Sequence, residues 1–288
     1  MPEHINVNDY TTRIIKSPEF VAYRQRAALL ERSQSNGEKI ESKKKAIKLG
    51  ARATALSFTK ESGYRSPEGD VLNLYSHIDD FSRSQTILDT KNLTRDQRRA
   101  YKGPVIEFNH ALKAVIDSHP KENFHTLLGT MGEMYGRING TRDIDTLMLF
   151  RQQASDAMVG MQGENAGELI AGMTPGYEID YTKPIGVKEE LDGIDLFIHK
   201  LGTDTSFAID FKASTGAVEK ARAKAMSYGE DPDKYVWSQT TSQDFNNSFR
   251  LPREIAQQRT PGMKKYFDDA YASALRRDAL IGYEEKAA

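Results

Sequence analysis

Phe207-Ala208-Ile209-Asp210-Phe211-Lys212 alternates with period two. Successive side chains of a strand point to opposite faces, so Phe207, Ile209 and Phe211 share one face and Asp210 and Lys212 the other. Two opposite charges in an otherwise apolar strand are costly to bury unless they pair, bind a metal or meet water. The pair therefore marks both a strand and a place where chemistry is expected.

Working outward, Gly202-Thr203-Asp204-Thr205 reads as a hairpin-like turn into a preceding strand over 193–199, itself preceded by strand character over 177–182. Upstream, Met158, Met161, Ala166, Leu169 and Ile170 mark a helix that ends near Thr174-Pro175-Gly176. Downstream come an Ala/Lys-rich helix over 215–228 stopped by Gly229, a strand over 234–238 with the chain's single Trp, and helices over 253–258 and 263–283 parted by Pro261-Gly262. The order helix–strand–strand–strand–helix–strand is an α/β (mixed α+β) layer.

Leu191-Asp192-Gly193-Ile194-Asp195-Leu196-Phe197-Ile198 sets Asp195 in the neighbouring strand, and a tight turn brings it to the same end of the sheet as Asp210. Asp192 is a rival, three residues away at the strand entrance. Glu164 and Glu168 stand four apart on one face of the preceding helix and compete for the same role. Carboxylate oxygens suit a hard divalent cation, Mg²⁺ or Mn²⁺, which retains waters and binds substrate phosphate. A lysine beside them orients a water or stabilises developing negative charge. Phosphodiester hydrolysis fits this set better than acyl transfer, for which no nucleophile with its base is visible.

The spacing Gly193-Ile194-Asp195 followed by Asp210-Phe211-Lys212, behind a helix bearing Gly163-Glu164, resembles the PD-(D/E)XK nuclease superfamily. The resemblance covers about 152–238; Ile194 stands where the family's name has Pro, and Asp210 where Glu is commoner. It implies an αβββαβ core, with Asp195, Asp210 and Glu164 as metal ligands and Lys212 as the catalytic lysine. It also implies a Mg²⁺- or Mn²⁺-dependent nuclease acting on DNA rather than RNA. The alternative from another class is a catalytically inactive nuclease-like domain used for nucleic-acid or protein binding.

Residues 1–150 read as an all-helical region and 151–288 as the nuclease-like domain. In the first part, helical patterns fall around 8–30, 37–60, 71–88, 94–101, 105–118 and 123–150, with Ser66-Pro67-Glu68-Gly69 a loop and Gly103-Pro104 and His119-Pro120 breaks. Residues 1–60 carry twelve Lys+Arg against six Asp+Glu, while 151–288 sum to −5. Lys43, Lys44 and Lys45, with Lys220 and Lys224 behind the motif, are the candidate contacts to nucleic acid, against a plain reading as solvated helix faces. The helical region is also a candidate surface for a protein partner.

Forty Lys+Arg against forty-one Asp+Glu rule out attachment to nucleic acid by bulk charge alone. With no Cys, disulfides, thiolate zinc sites, iron–sulfur clusters and thiol catalysis are excluded. No apolar run reaches a membrane span and the start MPEHINVNDY is not a secretory signal, so the expected location is cytoplasmic or, for a delivered protein, inside a host cell. Gly129, Gly132, Gly136 and Gly140 lack the Gly-Lys-Ser/Thr of a phosphate loop and read as helix packing or a turn. The six His show no compact zinc spacing. His199 shares a face with Asp195, and Tyr235, Trp237 and Gln239 alternate on one strand, where core packing is the simpler reading.

Overall fold

The computed structural model describes residues 67–118, 124–139, 143–183, 185–241, 243–245 and 251–287, with the helical single positions Lys16, Pro18 and Val21. The basic segment with Lys43, Lys44 and Lys45, and the helices expected over 8–30 and 37–60, lie outside these apart from those three positions. The chain divides into two compact units at Met158/Val159, eight residues beyond the expected boundary.

The first unit holds helices α1 (Pro67–Thr90), α2 (Arg95–Ser118), α3 (Phe124–Asn139) and the start of α4 (Ile144–Ala171). Pro67-Glu68-Gly69, expected as loop, forms the first turn of α1, where the missing proline N–H costs nothing. Thr94 opens α2 with a capping box: its N–H donates to Gln97 Oε1 at 3.0 Å and its Oγ1 accepts from the Gln97 N–H at 3.3 Å. Gly103-Pro104 does not break this helix; α2 runs through Pro104. Its apolar stripe of Phe108, Ala111, Leu112, Val115 and Ile116 is buried, and Phe108 stacks on Phe81 of α1 at 3.9 Å, so packing outweighs one lost ladder bond. At Gly132 an added Cβ would meet Arg151 Nε at 2.8 Å, a contact that the flexible arginine side chain can relieve.

In the second unit, the end of α4 is followed by β1 (Tyr177–Ile179), the short α5 (Val187–Leu191), β2 (Leu196–Lys200), β3 (Ser206–Lys212), α6 (Thr215–Ser227), β4 (Tyr235–Trp237) and α7 (Arg253–Ala287). The sheet runs β1-β2-β3-β4, antiparallel except that β4 lies parallel to β3. The helical crossover α6 between β3 and β4 is what a parallel pair demands. Phe207, Ile209, Phe211, Ile198 and Val236 form the buried sheet face, covered by Ala166 and Ile170 of α4 and by Ala256, Met263, Phe267 and Ala270 of α7. Gly167 lets α4 close on the sheet, since a Cβ there would meet the Phe211 ring at 2.5–2.7 Å.

Pro261-Gly262 does not divide the last helix, as α7 is continuous through both. Pro261 cannot donate to the Gln257 carbonyl one turn back, and the Thr260 hydroxyl donates to it instead at 3.0 Å. Among the described residues no helix is long and apolar enough to cross a membrane.

Candidate active site

β2 and β3 pair Leu196 with Ile209 and Phe197 with Ala208. The pairing stops there: Asp195 is the residue just before β2, and Asp210 follows Ile209 on β3, on the face away from the apolar core. The Asp195 N–H donates to Ile209 O at 2.8 Å, although Ile209 is already the partner of Leu196, so the chain leaves the regular ladder at Asp195. Asp195 Oδ2 accepts the Phe211 backbone N–H at 2.7 Å, so the first acid is fastened to the strand that carries the second. The Lys212 ammonium pairs with Asp210 Oδ1 and reaches the Phe211 carbonyl at 3.3 Å. The Asp210 side chain is 7 % exposed and that of Lys212 28 %, which leaves the lysine reachable from solvent.

Glu164, on α4, belongs to the same electrostatic cluster. Burial pushes the Asp195 carboxyl well above the ordinary carboxylate range, and the charges of Glu164 and Asp210 push it further against the opposing pull of Lys212 and the Phe211 N–H. Burial alone would lower the Lys212 ammonium, but Asp210, Asp195 and Glu164 outweigh it and raise the lysine above its usual value. The surrounding carboxylates thus favour the charged ammonium. As an ammonium it can donate a hydrogen bond and offset negative charge. Three carboxylates and one ammonium within mutual range form a site whose excess negative charge suits a cation.

The two pairs of rivals are placed differently. Glu168 is exposed, whereas Glu164 is half-buried and acts on both Asp195 and Lys212. Asp192 ends α5, its N–H donating to Lys188 O at 3.1 Å, whereas Asp195, expected within the strand, stands just before β2. His199 pairs with Glu178 and Ser206 at the hairpin end of β2. Four residues of strand put it roughly 13 Å from Asp195, too far to support it. On α6, whose Ser214 caps Ala217 N at 3.2 Å, Lys220 is exposed and Lys224 half-buried. The expectation for β4 is corrected: Val236 is the core residue, while Tyr235 and Trp237 are half-buried beside Asp210 and Lys212 on the site's face. The Lys212 Nζ lies 5.4 Å from the Tyr235 ring centroid.

Among the described residues, no three His, Asp or Glu side chains are already gathered around one point as a bound ion would hold them. No protein-family model matches the chain, and neither a curated protein nor a solved structure matches it.

Proposed function

We propose that the chain is a metal-dependent nuclease of the PD-(D/E)XK type, hydrolysing phosphodiester bonds in DNA rather than RNA. The observation that carries this reading is that the Asp195 carboxylate is bonded to the strand residue between Asp210 and Lys212, with Glu164 in electrostatic contact. The strand order β1-β2-β3-β4 with a parallel fourth strand agrees with the αβββαβ core expected of that superfamily.

The oxygen donors suit Mg²⁺ or Mn²⁺: Asp195 and Asp210, with the charge of Glu164 acting on them, leave negative charge that a hard cation would neutralise. Asp195, Asp210 and Glu164 would hold it, and when bound it supplies Lewis acidity toward a phosphoryl oxygen and a more acidic water. The chain's own part is positional and electrostatic. The Phe211 N–H fixes one oxygen of Asp195 and leaves the other for a ligand. Lys212, as an ammonium, would offset the negative charge that grows on the phosphoryl oxygens during attack.

The test is cleavage of linear, circular, single-stranded and branched DNA and of RNA with Mg²⁺, with Mn²⁺ and with EDTA. Metal-dependent cutting by the wild type, abolished in Lys212→Ala and Asp210→Ala with folding retained, supports the assignment. Unchanged cleavage by either variant overturns the site.

The second reading is a nuclease-like domain that binds nucleic acid or a protein without cutting it. The Lys212–Asp210 pair favours it, because an internal salt bridge can replace the ion in a remodelled site. Binding to DNA or to a partner with no cutting under any metal selects this reading.

A further inference from the structure

We infer that Lys234 is a positioning residue for the acidic site: it ties the turn that delivers Asp195 to the strand that delivers Asp210. This inference rests on the nuclease reading above.

Lys234 immediately precedes β4. Its side chain is only 10 % exposed, and its Nζ donates to the Asp192 carbonyl at 2.7 Å. Its own carbonyl accepts the Asp210 N–H at 2.8 Å. One residue thus touches the backbone of Asp210 directly and the backbone three residues before Asp195 through its ammonium. Glu230 Oε2 lies 3.8 Å from the same Nζ, and the Tyr235 ring centroid is 5.0 Å away, so the ammonium is held on two further sides.

The segment it grips has little freedom left. Gly193 turns with φ +69° and its N–H returns to Glu190 O at 3.0 Å. The Ile194 N–H returns to Glu189 O at 2.9 Å, and the next N–H, that of Asp195, enters the sheet. The Asp192 carbonyl is a terminal carbonyl of α5 and needs a donor from outside the helix. A polar side chain or water would satisfy it. A lysine drawn in from 42 residues away, at the cost of burying its charge, does more: it sets the distance between the Asp195 turn and β4. The spacing of two carboxylates around a hard cation tolerates only small changes, and side chains that orient ligands in this way govern metal affinity.

Lys234→Met keeps the stem and removes the ammonium, and Lys234→Arg keeps a donor. Tb³⁺ serves as the probe of binding, with luminescence excited through Trp237, the chain's single Trp, whose strand position pairs with Lys212. The Mg²⁺ dependence of cleavage of a linear duplex is measured beside it. Lys234→Met is expected to weaken Tb³⁺ binding and raise the half-saturating Mg²⁺ by about tenfold, with affinity for the duplex in EDTA unchanged and Lys234→Arg restoring most of the loss. Glu230→Gln, which loosens the ammonium without emptying its site, is expected to move both readouts the same way by about two- to threefold; it carries the test if Lys234→Met does not fold. Wild-type Tb³⁺ binding and Mg²⁺ dependence in the folded variants would overturn the role of Lys234 and leave the nuclease reading standing. A wild-type protein that neither binds Tb³⁺ nor cuts would overturn both.

Discussion

Asp195 Oδ2 and the backbone nitrogen of Phe211 lie 2.7 Å apart, so a carboxylate is oriented by the strand whose next residues on either side are Asp210 and Lys212. The bond fixes Asp195 in place, yet burial and the charges of Glu164 and Asp210 oppose its ionisation. Geometry and charge pull in opposite directions, a common condition of sites that await a cation or substrate.

Asp195→Asn should therefore abolish cleavage and stabilise the protein in EDTA at neutral pH. Asn still accepts the Phe211 N–H but carries no charge. Because the folded carboxyl sits above the 3.8 of its unfolded form, the native state favours the protonated acid. Its destabilising contribution is absent well below that value and grows as pH rises through it. The gain from Asn should follow the same course and reach about 1 kcal/mol, a shift of a few degrees in Tm. A variant less stable than wild type at pH 7 would contradict this account.

Gly167→Ala and Gly160→Ala make a matched pair on α4. A Cβ at Gly167 would lie 2.5–2.7 Å from three Phe211 ring atoms, whereas nothing lies within 4 Å of one at Gly160. The first should cost about 1–3 kcal/mol by overpacking and reduce cleavage, since Phe211 is the residue between Asp210 and Lys212. The second should leave cleavage intact and gain up to about 1 kcal/mol from reduced backbone freedom in the unfolded chain. Denaturant midpoints and initial rates on one substrate check both.

The sheet and its charged strand were legible because period-two alternation and the Gly202 turn are local signals. Glu164 was legible only as one of two candidates: helix spacing gives a face, and Glu168 shares it. What sequence could not show lies in contacts between distant residues. The Phe211 N–H on Asp195 and the Lys234 ammonium on Asp192 O join segments 16 and 42 residues apart. The prolines misled for the same reason, since Pro104 and Pro261 are strong breakers by local rules and packing decides otherwise. The five-residue α5, with Glu189 accepting the Gly186 N–H at 3.1 Å, is too short to leave a periodic pattern.

Thr260 and Pro261 should be energetically coupled. The Thr260 hydroxyl donates to the Gln257 carbonyl that Pro261 leaves without its helical donor. Thr260→Val should cost about 1 kcal/mol in the wild type. In a Pro261→Ala background the helix supplies its own N–H and the same change should cost less, giving a coupling of about 0.5 kcal/mol or more in a double-mutant cycle. Equal costs in both backgrounds would show that the hydroxyl does not replace the lost bond.

Asp244 should be a source of acid sensitivity. Burial pushes its carboxyl up, but the Thr241 N–H at 2.6 Å, Arg259 Nη2 at 3.0 Å and the Thr241 hydroxyl at 3.1 Å outweigh this and hold it below its ordinary value. A carboxyl depressed in the folded state stabilises the fold at pH above the unfolded value of 3.8, and that stability is lost as pH falls through the lower folded value. Asp244→Asn removes the ionisable group and the Arg259 pairing together. Its urea midpoint should fall below that of wild type at pH 6 by an amount equivalent to about 1–2 kcal/mol, and the difference should narrow toward pH 3. A gap that stays constant between the two pH values would locate the acid sensitivity elsewhere.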